Sequence, residues 1–321
     1  MPCYNAEAFI RAAIESVLSQ TWSDFELIVV NDGSTDRSGD VLRSIKDTRL
    51  VIITQENHGQ CAACNKGYTT STGDLIKFFD ADDIMDPEMI ERQVARLDGR
   101  SDAIAMGEWQ RFYGPEPDST EFPPLPMYRD AKPADWLVKE WASGQPMMQC
   151  ALWLIPRQII KERGLWDERL SLINDFEYFA RLLQGANELL YTPGARLHYR
   201  SGIAGSLSGQ KSRTAVLSQF TSLNLGIQHL LAVRNDAEAR AACAGLLQAF
   251  EYEHYPEHPD LRAQARARVL ELGGSNAQPD GPPGFHALRH FVGWRLAKQV
   301  QRFAEARGLN KAALKARINR Y

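Results

Sequence analysis

No apolar run in the 321 residues approaches the roughly 20 that a membrane-crossing helix needs. No charged-then-apolar leader opens the chain, so nothing in it points to secretion. Cysteine is scarce. Cys3, Cys61, Cys64, Cys150 and Cys243 form an odd, scattered set that fits a reducing cytoplasm better than a disulfide framework. Cys61 and Cys64 have C-x-x-C spacing but no second ligand pair for zinc, and two small core thiols are the simpler reading. A Gly-rich phosphate loop near the start is missing, which tells against a sugar-phosphate nucleotidyltransferase. A phosphatase of the D-x-D-x-[TV] kind would carry its carboxylates after the first strand, not deep in the chain.

What is present is a soluble, globular composition, with 44% hydrophobic and 24% charged residues. The net charge of −3 hides a split: Phe285 to Tyr321 carries +8 and leaves about −11 for the rest. A basic tail on an acidic body argues for a tail with its own partner, and against nucleic acid as that partner.

Strand-like and helix-like stretches alternate. Asn5 is a candidate N-cap for a helix carrying Ile10, Ile14, Val17 and Leu18. Phe25 to Val30 reads as a strand, Ser34 as the cap of the next helix, and Leu50 to Thr54 as another strand. A helix follows from Cys61 to Tyr68, and one more runs from Pro87 to Leu97. Such alternation predicts an α/β fold with a mainly parallel sheet and helices on both faces. Further on, strands are expected at Asp102 to Tyr113, Cys150 to Ile155, Leu189 to Thr192 and Arg196 to Arg200. Gly114 to Pro126 reads as a loop or lid, and from Lys211 the pattern is helical.

The most informative stretch is Leu75-Ile76-Lys77-Phe78-Phe79-Asp80-Ala81-Asp82-Asp83. An apolar strand that ends in three carboxylates asks for a cation, because crowded buried carboxylates are costly. Strand alternation would let Asp80 and Asp82 converge on one ion; the plain alternative is an Asp-rich turn. Asn31 to Asp36 and Asn57 to Gly59 also fall at strand ends. In doubly wound sheets that is the rim where ligands bind.

Five motifs now stand in order: Pro2-Cys3-Tyr4-Asn5, Asn31-Asp32-Gly33-Ser34-Thr35-Asp36, Asn57-x-Gly59 with Asn65, Asp80-Ala81-Asp82, and Asn174-Asp175. Over about residues 1 to 210 the chain resembles the family 2 glycosyltransferases, inverting enzymes of the GT-A fold that use nucleotide-diphosphate sugars. The resemblance implies that Asp32 meets the nucleobase, with Pro2, Tyr4 and Asn5 beside it and Asn57 and Gly59 near the nucleoside. It implies that Asp82 ligates Mg²⁺ or Mn²⁺, with Asp80 as second ligand nearer the ribose. Asp175 would be the general base. Arg200, with Ser206 and Ser208 in a Gly/Ser loop, would hold the diphosphate. The plain alternatives are an Asx turn for Asp32, a helix-terminal Asp for Asp175, a solvent-facing Asn65 and a flexible loop after Arg200. Asp83 reads as a turn cap and His198 as structural.

Two departures stand out. The family's first strand precedes Pro2, so either the true start lies upstream or the first strand here is truncated. Position 174 is Asn where the family usually has Glu, so less like charge bears on Asp175. No Q-x-x-R-W motif is present, which favours single-sugar transfer over polymerisation.

The expected domains are a GT-A domain over 1–210 (nucleotide-sugar half 1–110, acceptor half 111–210), a helical extension over 211–272, a linker over 273–284 and a basic amphipathic helix over 285–321. The expected substrates are a nucleotide-diphosphate sugar, foremost a UDP-sugar, and a glycan, lipid-linked or other hydroxyl acceptor. The expected place is the cytoplasm, with peripheral membrane contact through 285–321 or, alternatively, that helix docked on the acidic body. The competing function from another class is a catalytically silent nucleotide-sugar binding or scaffolding module.

Overall fold

The computed structural model describes residues 1–117, 121–144, 146–203, 205–279 and 281–306. The expected helix over 285–321 therefore lies partly outside the described residues.

Three parallel strands form the first sheet: β1 (Pro2–Cys3), β2 (Leu27–Asp32) and β3 (Leu50–Gln55), in that order. β2 is buried at all six positions, as a central parallel strand should be, while β3 at the edge leaves Val51 and Ile52 exposed. Between these strands run α1 (Ile10–Leu18) and α2 (Ser38–Ser44). β1 pairs Pro2 with Val30 and Cys3 with Asn31.

α3 (Gln60–Thr70) leads to the second sheet, in which β4 (Leu75–Ile76) and β5 (Ile84–Met85) flank the acidic stretch. α4 (Met89–Leu97), β6 (Ala103–Phe112), α5 (Pro133–Trp141), β7 (Trp153–Pro156), α6 (Arg157–Arg163), α7 (Asn174–Leu182) and β8 (Glu188–Arg200) complete the order. The sheet order is β4-β7-β6-β8-β5, with β6 parallel to β8 and the other pairs antiparallel. The fold is a mixed α/β fold with helices on its sheets, as expected.

The two extended stretches expected near 190 and 198 are one 13-residue strand. Its register with β6 shifts between Met106 and Glu108. Gly107 sits at the shift, where a Cβ would come 2.4 Å from the carbonyl oxygen of Ala195, so only glycine fits.

Several local expectations are corrected. The acidic residues are not on a strand: β4 ends at Ile76, so Asp80 to Asp83 lie in the turn between β4 and β5. Asn5 does not cap α1. It is left-handed (φ 47°), and its Oδ1 instead accepts from the Thr35 N–H at 2.8 Å. Ser34 does not cap α2 either; its hydroxyl accepts from the Asn5 N–H, and Asp36 accepts from the Ser38 N–H at 2.9 Å. Short side chains at a turn satisfy whichever donor comes nearest, which spacing alone does not specify.

The division of the chain also moves. One compact unit holds Met1–Glu140 and the chain up to Ala239, and a second holds Trp141–Gly144 and the chain from Arg240. The boundary expected at 210 therefore falls after α8 (Arg213–Val233). α8 belongs to the first unit because its serines fasten α7. The Ser222 hydroxyl donates to the Ile173 carbonyl at 2.7 Å and accepts from the Glu177 N–H at 3.1 Å. The second unit is built around α9 (Ala237–Glu253), α10 (Pro259–Glu271) and α11 (Pro283–Ala306), the last kinked at Gly293.

Under the acidic turn lies an aromatic floor. Phe78 packs edge-on to Trp166 and Tyr178, Trp166 stacks on Tyr178 at 4.0 Å, and Phe179 continues to Trp153. Asn65 ties α3 to this floor. Far from facing solvent, it is buried, donating to the Trp166 carbonyl (3.0 Å) and Glu168 (2.8 Å) and accepting from the Trp166 N–H (2.9 Å). Asn65→Ala leaves the Trp166 N–H and carbonyl unpaired and is expected to cost about 2–3 kcal/mol, read as a lowered urea midpoint at unchanged m-value.

Candidate active site

The polar rim resolves into two neighbouring groups of side chains. The first surrounds Asp32, at the end of β2. Its carboxylate is 2% exposed and turned to its own chain, accepting from Gln55 Nε2 (2.8 Å), the His58 N–H (3.0 Å) and the Gly59 N–H (2.8 Å). Asp32 thereby shapes the 57–59 turn that begins α3. Gly33 completes the fit: its φ is +72°, and a Cβ there would come 2.7 Å from the Asn57 nitrogen. Tyr4 and Asn57 are exposed on this rim, Pro2 is half-buried in β1, and Gly59 (φ 90°) precedes the first turn of α3.

The second group holds the acids. Asp80 accepts from Gln60 Nε2 at 2.9 Å and Gln149 Nε2 at 3.4 Å. Burial pushes its carboxyl above the usual range. Asp82 is pushed up to about 7, first by burial and then by the charge of Asp80. Asp83 is no turn cap. It is fully buried, accepting from the Arg200 N–H (2.8 Å) and Gln149 Nε2 (2.7 Å), and so ties the acidic turn to the end of β8. Burial and its two acidic neighbours raise its carboxyl well above the usual range.

Asp175 occupies the first turn of α7, half-buried, and its carboxyl is pushed up to about 7. Burial is the larger cause, and the charge of Asp80 is the second. The like charge that Asn174 does not supply thus arrives from across the site. Ile173, just before, is held left-handed at φ 49°, a strained state for a β-branched residue. Ser222 fastens its carbonyl, so α8 fixes the start of the helix that carries Asp175.

A cleft of about 370 Å³ opens beside the acids, lined by Asp82, Arg111, Tyr199, Arg200 and Ser206 among others. Arg200 reaches it only partly. Its Nε donates to the Asp82 carbonyl at 2.7 Å, its other nitrogens reach the Gly114 and Pro115 carbonyls, and the guanidinium lies over Phe112 and Phe9. It pins the acidic turn against the β6 exit. Ser206 and Ser208 face one another at 3.3 Å between their hydroxyls. His198 is buried between Asp86 and Gln110, a structural position.

Sequence reasoning missed Gln60, Gln149, Arg111 and Tyr199. The last two are opposed in the parallel β6–β8 register, which no local pattern announces. The glutamines carry no motif; only their contact with Asp80 marks them.

Among the described residues, no three His, Cys, Asp or Glu side chains form a ready cage for a metal. The donor set nevertheless suits a hard divalent cation. Asp82 lines the cleft with Asp80 on the same turn behind it, and so few carboxylates leave most coordination positions to water and phosphate oxygens, as Mg²⁺ and Mn²⁺ accept.

A two-sheet α/β body with an acidic turn on its rim is the GT-A architecture. S. aureus TarS 1-349, solved in complex with UDP-GlcNAc, matches it with a TM-score of 0.69 over 94% of this chain and 90% of that one, at 15% identity. The family model described as "Glycosyl transferase family 2" matches residues 1–164, and the chain belongs to that family. Glycosyltransferase GlyA of Streptococcus pneumoniae is 35% identical over 114 residues, 35% of this chain and 16% of that protein. Putative glycosyltransferase EpsH of Bacillus subtilis is 38% identical over 103 residues, 32% of this chain and 30% of that one. An uncharacterized glycosyltransferase of Rickettsia typhi, RT0329, is 29% identical over 196 residues, 57% of each chain. The matches thus span less than a third of the first two relatives and about half of the third.

Proposed function

We propose that the protein transfers one sugar, with inversion, from a nucleotide-diphosphate sugar to a hydroxyl acceptor of an envelope or exopolysaccharide glycan. UDP is the favoured nucleotide. The observation that carries this reading is the placement of Asp175 on the first turn of α7, facing Asp80 across the rim, with the cleft of Asp82 and Arg200 alongside. The acceptor hydroxyl gives its proton to Asp175 as its oxygen bonds to the anomeric carbon. The bond from that carbon to the diphosphate breaks on the opposite face, and the nucleoside diphosphate leaves. A carboxyl poised near 7 suits a base working near neutrality.

Asp82, with Asp80, would hold Mg²⁺ or Mn²⁺ against the diphosphate; the cation supplies neutralisation of charge on the departing phosphates. Tyr4 and Asn57, exposed at the end of the first sheet, would meet the nucleoside, while Asp32 shapes the 57–59 turn. Ser206 and Ser208 offer hydroxyls to phosphate oxygens.

Nucleotide sugars, each with and without Mn²⁺, are to be screened for thermal stabilisation. One UDP-sugar is expected to raise Tm by several degrees, and only with the cation. No stabilisation by any donor would sink the enzyme reading.

The five cysteines are all free and buried, in keeping with a cytoplasmic site of action. Among the described residues no helix is long and apolar enough to cross a membrane. α11 suits a membrane surface: it exposes Phe291, Leu296 and Val300 close to Arg295 and Lys298, and more basic residues follow in sequence. The protein is expected to sediment with vesicles containing anionic lipid and not with neutral ones. Leu296→Asp with Val300→Asp should lower that binding at least tenfold. Equal binding to both vesicle types would remove this contact.

A further inference from the structure

We infer that Asn174 and Gln60 form a hydrogen-bond relay of fixed polarity that orients Asp80 from the first turn of the base-bearing helix. Both are then positioning residues for the transfer reaction; the inference rests on the roles given above to Asp80, Asp82 and Asp175.

The first residue of α7 meets the first residue of α3. Asn174 Nδ2 donates to Gln60 Oε1 at 3.0 Å, and Gln60 Nε2 donates to Asp80 Oδ1 at 2.9 Å. The direction of this chain is set at its far end. Gln60 Nε2 faces the Asp80 oxygen and Gln60 Oε1 faces position 174, and an Asp80 that holds a cation is ionised and only accepts, so that sense is the one that serves the site. Whatever stands at 174 must then donate. Asn does, and its second N–H is taken by Cys61 Sγ at 3.3 Å, which holds the amide in that sense.

A carboxylate at 174 would reverse the relay. It would accept from the Gln60 NH₂, turn that amide over and set Gln60 Oε1 against Asp80 Oδ1. Asp80 would keep the Cys150 thiol, a weak donor, and Gln149, whose Nε2 lies 3.4 Å from it and closer, at 2.7 Å, to Asp83. A carboxylate there would also put a negative charge on the residue before Asp175. The neutral Asn therefore does two things: it aims Asp80, and it keeps the neighbouring base from being raised further. Gln at 60 and Asn at 174 work only as a pair.

The test is a double-mutant cycle of Asn174→Leu and Gln60→Leu, read in the affinity for UDP with Mn²⁺ and in the turnover of whichever UDP-sugar stabilises the protein. Each single change is expected to weaken UDP–Mn²⁺ binding about tenfold, and the pair no more than either alone. Asn174→Asp, nearly isosteric, is expected to move the acid limb of the turnover profile up by about one pH unit, which Asn174→Leu does not. Multiplying effects in the cycle, near a hundredfold for the pair, would overturn the relay; so would Asn174→Asp with an unmoved acid limb. If the wild type binds no UDP with Mn²⁺, the functional reading has failed instead. The same cycle in the melting temperature of the metal-free protein then decides the relay: a less-than-additive loss supports it, and additive losses overturn it.

Discussion

Asp175→Asn is expected to lower kcat by about 10³-fold while leaving Mn²⁺-dependent UDP binding within about threefold of wild type. The amide keeps the size and the hydrogen-bonding reach of the side chain but cannot take a proton from the acceptor hydroxyl. On the function proposed above, donor affinity would rest on other residues: the acidic turn, the cleft and the exposed rim of the first sheet. The measurement is a parallel one, of turnover and UDP affinity on one protein preparation. Unchanged turnover would remove Asp175 from the chemistry and favour a binding or scaffolding module. In wild type, turnover should rise with pH through an acid limb. It should lie near 7, where Asp175 is held by burial and by Asp80, or below 7 once a cation neutralises Asp80.

Asp82→Asn is expected to make the metal-free protein more stable at pH 7.5 and to abolish its response to Mn²⁺ with UDP. The sign follows from linkage. Asp82 is raised from 3.8 to about 7 in the folded protein, so between those values the native state holds a proton that the unfolded chain has lost. Stability then falls as pH rises through that window. An Asn has no such proton, so the variant's advantage should be absent near pH 4 and grow to about 2 kcal/mol, a few degrees in Tm, by pH 7.5. Comparing two proteins at each pH cancels groups that act otherwise, such as Lys77, whose ammonium burial lowers to about 7. With Mn²⁺ and UDP the order should invert, wild type gaining several degrees and the variant nothing. A variant that melts with wild type at every pH, or still gains from Mn²⁺, would show that Asp82 is neither crowded nor a ligand.

The alternation of strand and helix up to Leu97, the buried run of β2 and the helical content after Lys211 were legible because each is a local pattern with its own period. The acidic turn was legible as chemistry but misread as geometry. Leu75 to Phe79 has the composition of a strand, yet pairing with β7 ends at Ile76, and pairing depends on a partner 80 residues away. The same limit explains Asp83 and Asn65. A polar side chain in a turn or mid-helix is exposed by default, and only the arrival of Arg200 and Gln149, or of Trp166, buries it. Asp32 illustrates the converse. Its position at the rim was foreseen, while the three donors that occupy it belong to β3 and the turn beyond, whose approach no single segment encodes.

The aromatic floor has one more consequence. Phe78 stands two residues before Asp80 and Tyr178 three after Asp175, and the two rings touch beneath the site. The separation of the acidic turn and Asp175 is therefore gauged by core side chains rather than by the connection between β6 and α5. Changes in that connection therefore leave the spacing of Asp80 and Asp175 untouched. A chimera carrying a foreign β6–α5 segment is expected to keep the acid limb of the wild-type turnover profile, since Asp80 and Asp175 keep their spacing.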